Sequence, residues 1–437
     1  MRRRVGWVVG GLVVVGLVGG WLWWWLRPPQ IELPPRRYPA KNAYEAYKML
    51  AQQMEHDLKR DPRTYAHFLE IERALFTRTS PVQVSEAEKH YFLKRMRPYL
   101  EAYREFLHLP SMVVYEYDPR WLFPEVVQFR RIVRAESLLI HDALRQGREQ
   151  EAVARARTVA RFAEQVRNEG TLILYFTGDA LLLMAIDPLR TYLPRMRDPR
   201  ALEAIVQLAR EYEQQRTPLA EAFQHEYYFG LSFYRALATG QLRLDEYLQM
   251  YDEANRHRSS LDGILAQMGV PVVTRPALRE YQRYHNQLQQ ELAKPMWERQ
   301  PNRLLAKRYL NTVILQPWEP AFRKEQHEVA VMRLLGCAAA TRLHKLRTGR
   351  YPESLQALNL GELTTDPFTG KLFIYRVQGQ HGFQLYSVGA NGTDDGGRLA
   401  YNEASEGDLL PITVQALPES LRPQPPHTPL TAPLWLR

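Results

Sequence analysis

The sequence predicts a mainly α-helical protein: an N-terminal transmembrane helix, an irregular helical array or bundle, then a small α+β module with a long helix and an antiparallel sheet. Three observations predict it. Residues 5–26 contain no charged or strongly polar side chain. Apolar residues then recur at helical spacing, with recognisable caps, across residues 41–317. After Trp318 the pattern changes to one long apolar stripe followed by short alternating runs and Gly/Asp turns.

The apolar run at 5–26 matches the roughly 30 Å hydrocarbon core at about 1.5 Å per residue. Arg2, Arg3 and Arg4 precede it, so the positive-inside rule places the stub 1–4 in the cytoplasm and the bulk outside. Trp21, Trp23, Trp24 and Trp25 crowd the other end, where indoles favour the headgroup layer, and Arg27-Pro28-Pro29 stops the helix. A cleaved signal peptide has a shorter apolar core and a small-residue cleavage site. Here tryptophans end the run and no such site follows, so the anchor is expected to be retained. Gly6/Gly10 and Gly16/Gly20 form GxxxG pairs that permit self-association of the helix. Residues 27–40, rich in proline and arginine, read as a stiff spacer that lifts the soluble part off the bilayer.

Within 41–317, Ser85-Glu86-Ala87-Glu88 is a capping-box signature ahead of Tyr91, Phe92, Met96, Tyr99 and Leu100. Pro124-Glu125 opens a helix striped by Phe129, Ile132, Val133 and Ile140, and Gly147 ends it. An Ala-rich helix follows from Glu149 to Val166. The hairpin at 137–165, with Gly147, Ala152 and Ala156 as small residues, resembles a single tetratricopeptide-type unit. Its period does not recur, so a regular solenoid is not predicted. Asp198-Pro199 is an N-cap and first-turn pair.

The formal charge of +10 suits an acidic partner. The arginines are nevertheless spread over helices that also carry glutamates, which reads as a solvated surface; no nucleic-acid partner is expected. The single cysteine, Cys337, excludes an internal disulfide and zinc motifs built on two cysteines, and its Ala-rich surroundings mark a small core residue. No GxxxxGK[ST], no GxGxxG behind a strand and no GxSxG elbow occurs, which disfavours nucleotide hydrolysis and α/β-hydrolase chemistry.

In 318–415 a long helix is expected from about residue 321 to 347, then strands at 372–377 and 383–388. Gly349-Arg350-Tyr351-Pro352, then Asp366-Pro367-Phe368-Thr369-Gly370, then Leu385-Tyr386-Ser387-Val388-Gly389-Ala390-Asn391-Gly392 stand in order, followed by Gly396-Gly397. Over about 320–412 this series resembles the C-terminal part of the major pseudopilins of type II secretion. Pseudopilins carry a peptidase-processed N-terminal signature that runs straight into this helix. Here the membrane segment lacks that signature and lies far upstream, so the resemblance implies a borrowed module and not a polymerising subunit.

The resemblance also implies a calcium ion in the last loop, with Ser387, Asn391, Asp394, Asp395 and Asp408 as oxygen donors. Hard carboxylate and neutral oxygens suit that ion, and Asn391, standing where the family has aspartate, removes one charge. Residues 416–437 form a proline-rich, extended tail.

The function expected from these features is a scaffold anchored in the cytoplasmic (inner) membrane that contacts envelope or secretion-system proteins outside it. Two alternatives stand beside it. One is a receptor with an aromatic groove near Tyr227, Phe229 and Tyr234. The other is a metal-dependent enzyme, in which the i,i+4 pairs Glu221/His225 and Glu253/His257 would converge.

Overall fold

The computed structural model describes residues 29–76, 84–243, 271–300, 311, 318–379, 382–397 and 409–415. The expected anchor, the tail, Glu253, His257 and Asp408 lie outside the described residues. The protein is mainly α-helical, with a small antiparallel sheet near the C-terminal end. In chain order the helices are α1 (Ala43–Lys59), α2 (Pro62–Phe76), α3 (Glu86–Glu105), α4 (Val126–Arg145), α5 (Glu149–Arg167), α6 (Leu172–Tyr192), α7 (Pro199–Gln215), α8 (Leu219–Ala238), α9 (Pro271–Leu292) and α10 (Trp318–Thr348).

Local chemistry sets several of these boundaries. Asn42 caps α1 by accepting from the Tyr44 amide. Ser85 and Glu88 make both bonds of the expected capping box on α3. Gly147, at φ 73°, lets the chain reverse between α4 and α5, and Ala152 and Ala156 are buried on α5 behind it. Asp198 accepts from the Arg200 amide at the start of α7, with Pro199 in the first turn.

Helix α6 is apolar nearly all round, the pattern of a helix surrounded by others. Among the described residues, Leu172–Arg195 alone is long and apolar enough to cross a membrane, and 72% of its apolar window is buried inside the protein. It packs against both α4 and α5. At Gly178 an added Cβ would lie 2.6 Å from the Ala163 carbonyl oxygen, so only glycine allows this approach of α6 to α5.

The long helix α10 does not begin a separate core. It packs along α7, and Val329, Met332, Leu335 and Ala339 belong to the same buried cluster as Phe162, Leu181 and Leu202. The boundary expected at 317/318 therefore falls inside a shared interior. The reading of the arginines as a solvated surface also needs correction at this seam. Arg167 pairs with Glu328, Arg216 and Arg299 with Glu325, and Arg333 with Glu213, and all four arginine side chains are largely or wholly buried. A helix packed on several faces leaves its charged residues nowhere to go but toward opposite charges on its neighbours.

The sheet has the order β1 (Ile374–Gln378), β2 (Gly382–Ser387), β3 (Leu409–Gln415), with both pairs antiparallel. Tyr375 lies opposite Leu385, and Leu385 opposite Ile412. Phe383 and Leu385 turn into the core shared with α10. The pattern at 372–377 and 383–388 anticipated the first two strands; the third, Leu409–Gln415, comes from residues to which the sequence reading assigned no element.

Candidate functional site

Residues 29–42 are not a free spacer. They run as a strap across the helical part, where a free-standing spacer was expected. Proline presets an extended backbone, while Ile31 and Leu33, two residues apart, both pack against the cluster of Leu231, Phe233 and Tyr281 on α8 and α9. At the other end, Asn42 Nδ2 donates to the Met112 carbonyl at 2.7 Å and its Oδ1 accepts from the Met112 amide at 2.9 Å.

Between these attachments Arg36 enters the protein. Its side chain is only 7% exposed. Nη2 donates to the carbonyl oxygens of Val113, at 2.8 Å, and Glu169, at 3.2 Å. Nη1 lies 3.1 Å from both the Tyr115 hydroxyl and His225 Nδ1, and the guanidinium carbon sits 4.2 Å over the Tyr115 ring. Several fixed donors and a cationic plane are what a guanidinium offers and an ammonium does not. Because Arg36 can only donate, His225 Nδ1 accepts and the ring is neutral. Burial, followed by the Arg36 charge, depresses the His225 pKa to about 4.

Glu221 and His225 share one face of α8, as their spacing predicts, but they serve a different purpose from chelation. Glu221 accepts from the Glu169 amide at 2.8 Å, and His225 meets the arginine that binds the Glu169 carbonyl. The pair brackets Glu169, which carries the turn after α5 at φ 52°. Among the described residues, no group of three or more His, Cys, Asp or Glu side chains converges as metal ligands would.

The aromatic residues proposed for a groove pack against one another. The Tyr227 ring stacks on His285 at 3.9 Å and on Tyr281 at 5.3 Å. Phe229 meets the Tyr115 ring edge-on, and Tyr234 is buried with its hydroxyl on Asn311. The concave surface lies beside them. An open cleft of about 360 Å³ is lined by Leu33, Pro34, Tyr38, Tyr117 and Arg235, and a smaller hollow of about 120 Å³ adjoins it at Asp118 and Arg120. Sequence reasoning missed Arg36 because a charged residue among prolines reads as solvated. The alternation Ile31-Glu32-Leu33 was the one hint of an extended segment with an apolar side.

The motifs at the C-terminal end meet at one carboxylate. Asp366 accepts from the Phe368 amide at 3.0 Å, the Ser387 hydroxyl at 2.8 Å and the Val388 amide at 3.2 Å. Tyr351 packs edge-on against Phe383, and the Tyr375 hydroxyl donates to the Pro352 carbonyl at 2.9 Å.

The expected calcium donors are not gathered. Ser387 is buried and turned toward Asp366. Asp394 accepts from the Tyr386 hydroxyl at 2.7 Å and the Gly396 amide at 2.9 Å, and is ion-paired with Arg376. Asn391 donates to Asp395 at 2.9 Å. The four described donors therefore do not fit a calcium site as they stand, since a side-chain cation already holds the central carboxylate.

Cys337 is a core residue. Its thiol donates to the Leu363 carbonyl at 3.1 Å, and burial pushes its pKa up to about 12.

Fold and site together define a mainly α-helical protein with a docked N-terminal strap and a small C-terminal sheet. Comparison with protein-family models, curated proteins and solved structures gives no match to this chain.

Proposed function

We propose that this chain is a membrane-anchored scaffold on the outer face of a cytoplasmic membrane, which presents its helical part and its pseudopilin-like sheet to envelope or secretion-system proteins. The apolar run at 5–26, with its arginines before and tryptophans after, supports the anchor. Asp366 supports the resemblance: it ties the Asp366–Gly370 turn to the Ser387–Gly389 loop, two of the motifs that carry it.

The observation that carries the scaffold reading is the lock at Arg36. A receptor or enzyme on a long tether would need no such attachment, whereas a scaffold must hold its partners at a set height and orientation.

A crosslinked pull-down of the tagged full-length protein from solubilised membranes tests this reading. Deleting 318–415 would remove α10 from the shared core, so the test uses charge substitutions at Leu372, just before β1, and Val377, on β1, both of which are exposed. Recovery of pilin-like or secretion-machinery subunits, lost in L372E/V377E, is the expected result. Recovery of no envelope protein from either form would overturn the reading. Ligand binding has one observation in its favour, the open Tyr/Pro cleft beside the strap.

A further inference from the structure

We propose that the face formed by the strap, the loop 118–123 and the end of α8 rests on the phospholipid headgroup layer. This rests on the reading of residues 5–26 as a retained anchor.

Reach supports it first. Leu26 ends the apolar run, and Ile31 is already packed on the protein. Five residue steps extend at most about 18 Å. Each headgroup layer is itself about 5–8 Å thick. The docked strap is thus at most about 10–13 Å from the outer edge of that layer. A free spacer through residue 40 would allow more than twice that separation, but Arg36 prevents it.

The chemistry of the face agrees. Leu122 is 67% exposed in a loop that also carries Arg120. Arg37 and Arg235 are exposed, and Tyr38 is 38% exposed. Tyr117 and Asp118 line the cleft together with Leu33, and Arg120 lines the hollow with Leu242, so residues 117–120, the strap and the helix end form one continuous surface, with Leu122 two residues beyond it. Arginine donates to phosphate, and aromatic residues with a polar edge favour the membrane interface. Glu116 and Asp118 line the same cleft, and Asp118 pairs with Arg120. This mixture favours contact with phosphate groups over strong adsorption by net charge.

The test places full-length protein in nanodiscs of phosphatidylcholine and phosphatidylglycerol. Cys337 is buried, so an L122C variant can be labelled at one position with an environment-sensitive fluorophore, and K371C, in the bend before β1, serves as the exposed control. The label at position 122 is expected to be quenched by spin-labelled lipid and protected from aqueous iodide, with the opposite at 371. In L122C/R36A the lipid quenching should be lost as the strap releases. Equal iodide quenching at both positions, with the protein still held in the discs, would overturn the inference and leave the anchor reading standing. Protection at 122 without lipid quenching would assign the face to a protein contact and also overturn it. Protein that washes off the discs would sink the anchor reading and this one together.

Discussion

Arg167 donates to both carboxylate oxygens of Glu328, at 2.7 and 3.2 Å, with both side chains fully buried. The pair joins α5 to α10 across a separation of 161 residues. Glu164 and Asp179 stand in the same interior. Burial raises the pKa of both, and the neighbouring Glu328 raises that of Asp179 further. One guanidinium thus organises several carboxyl groups, of which Glu328 is the one it grips.

R167M should therefore be strongly destabilising, by about 3–5 kcal/mol, because it strands Glu328 without a counter-charge. R167M/E328L should recover most of that loss, since a well-packed apolar pair can replace a buried ion pair. Urea unfolding followed by circular dichroism distinguishes them. A single variant within about 1 kcal/mol of wild type would show that the pair is dispensable.

His225 makes the strap sensitive to acid. Its unfolded pKa is about 6.5 and its folded pKa about 4, so between those values the unfolded chain binds more protons. Its contribution is fully present above about 6.5, is lost as pH falls toward 4, and changes no further below that. Protonation would place a second cation against Arg36 and remove the acceptor at Nδ1. Burial depresses His285 in the same sense, whereas Glu221 and Glu226, raised by burial, act in the opposite one. The informative quantity is consequently the difference between wild type and H225N. The variant should show a flatter loss of stability from pH 6.5 to 4, and parallel curves would remove His225 from the account.

Gly336 is the crossing point of α10 and α7. A Cβ there would lie 2.7 Å from the Ala209 Cβ, closer than carbon atoms approach. G336A should cost about 1–3 kcal/mol by forcing the helices apart, and A209G should return part of it. Thermal unfolding of the two single variants and the double variant measures the coupling; additive effects would mean that the helices do not meet there.

Arg376 competes with any metal for Asp394. The Tyr386 hydrogen bond, together with Gly396 and Arg376, holds the Asp394 carboxyl below the usual range, so it is ionised and occupied. Millimolar calcium should therefore leave the melting temperature of wild type unchanged and raise that of R376Q. Equal gains would exclude Asp394 as a ligand, and no gain in either would exclude the loop as a calcium site.

Much of the helical layout was legible in the residues. The capping box at Ser85, the Asp198-Pro199 start and the Gly147 reversal act within a few residues of chain, so their chemistry is local. The Asp366–Gly370 turn was legible for the same reason. The strap was not, because its meaning depends on Val113, Tyr115, Glu169 and His225, which are distant in sequence. The i,i+4 spacing of Glu221 and His225 placed them on one face of α8, but nothing in that spacing said that Glu169 and Arg36 would occupy the space between them.

The sequence by itself determined where α3 and α7 begin, where α4 and α5 turn back on each other and roughly where α10 runs, that Cys337 is interior, and that the C-terminal end holds two of its strands. These follow from periodicity and from side chains acting on their own backbone. Only the tertiary structure decided that α10 shares a core with the helical part, that its charges are buried in pairs, and that residues 29–42 are docked. Each of those depends on which distant group lies opposite, and a buried charge or a bound strap is stable only when that partner is present.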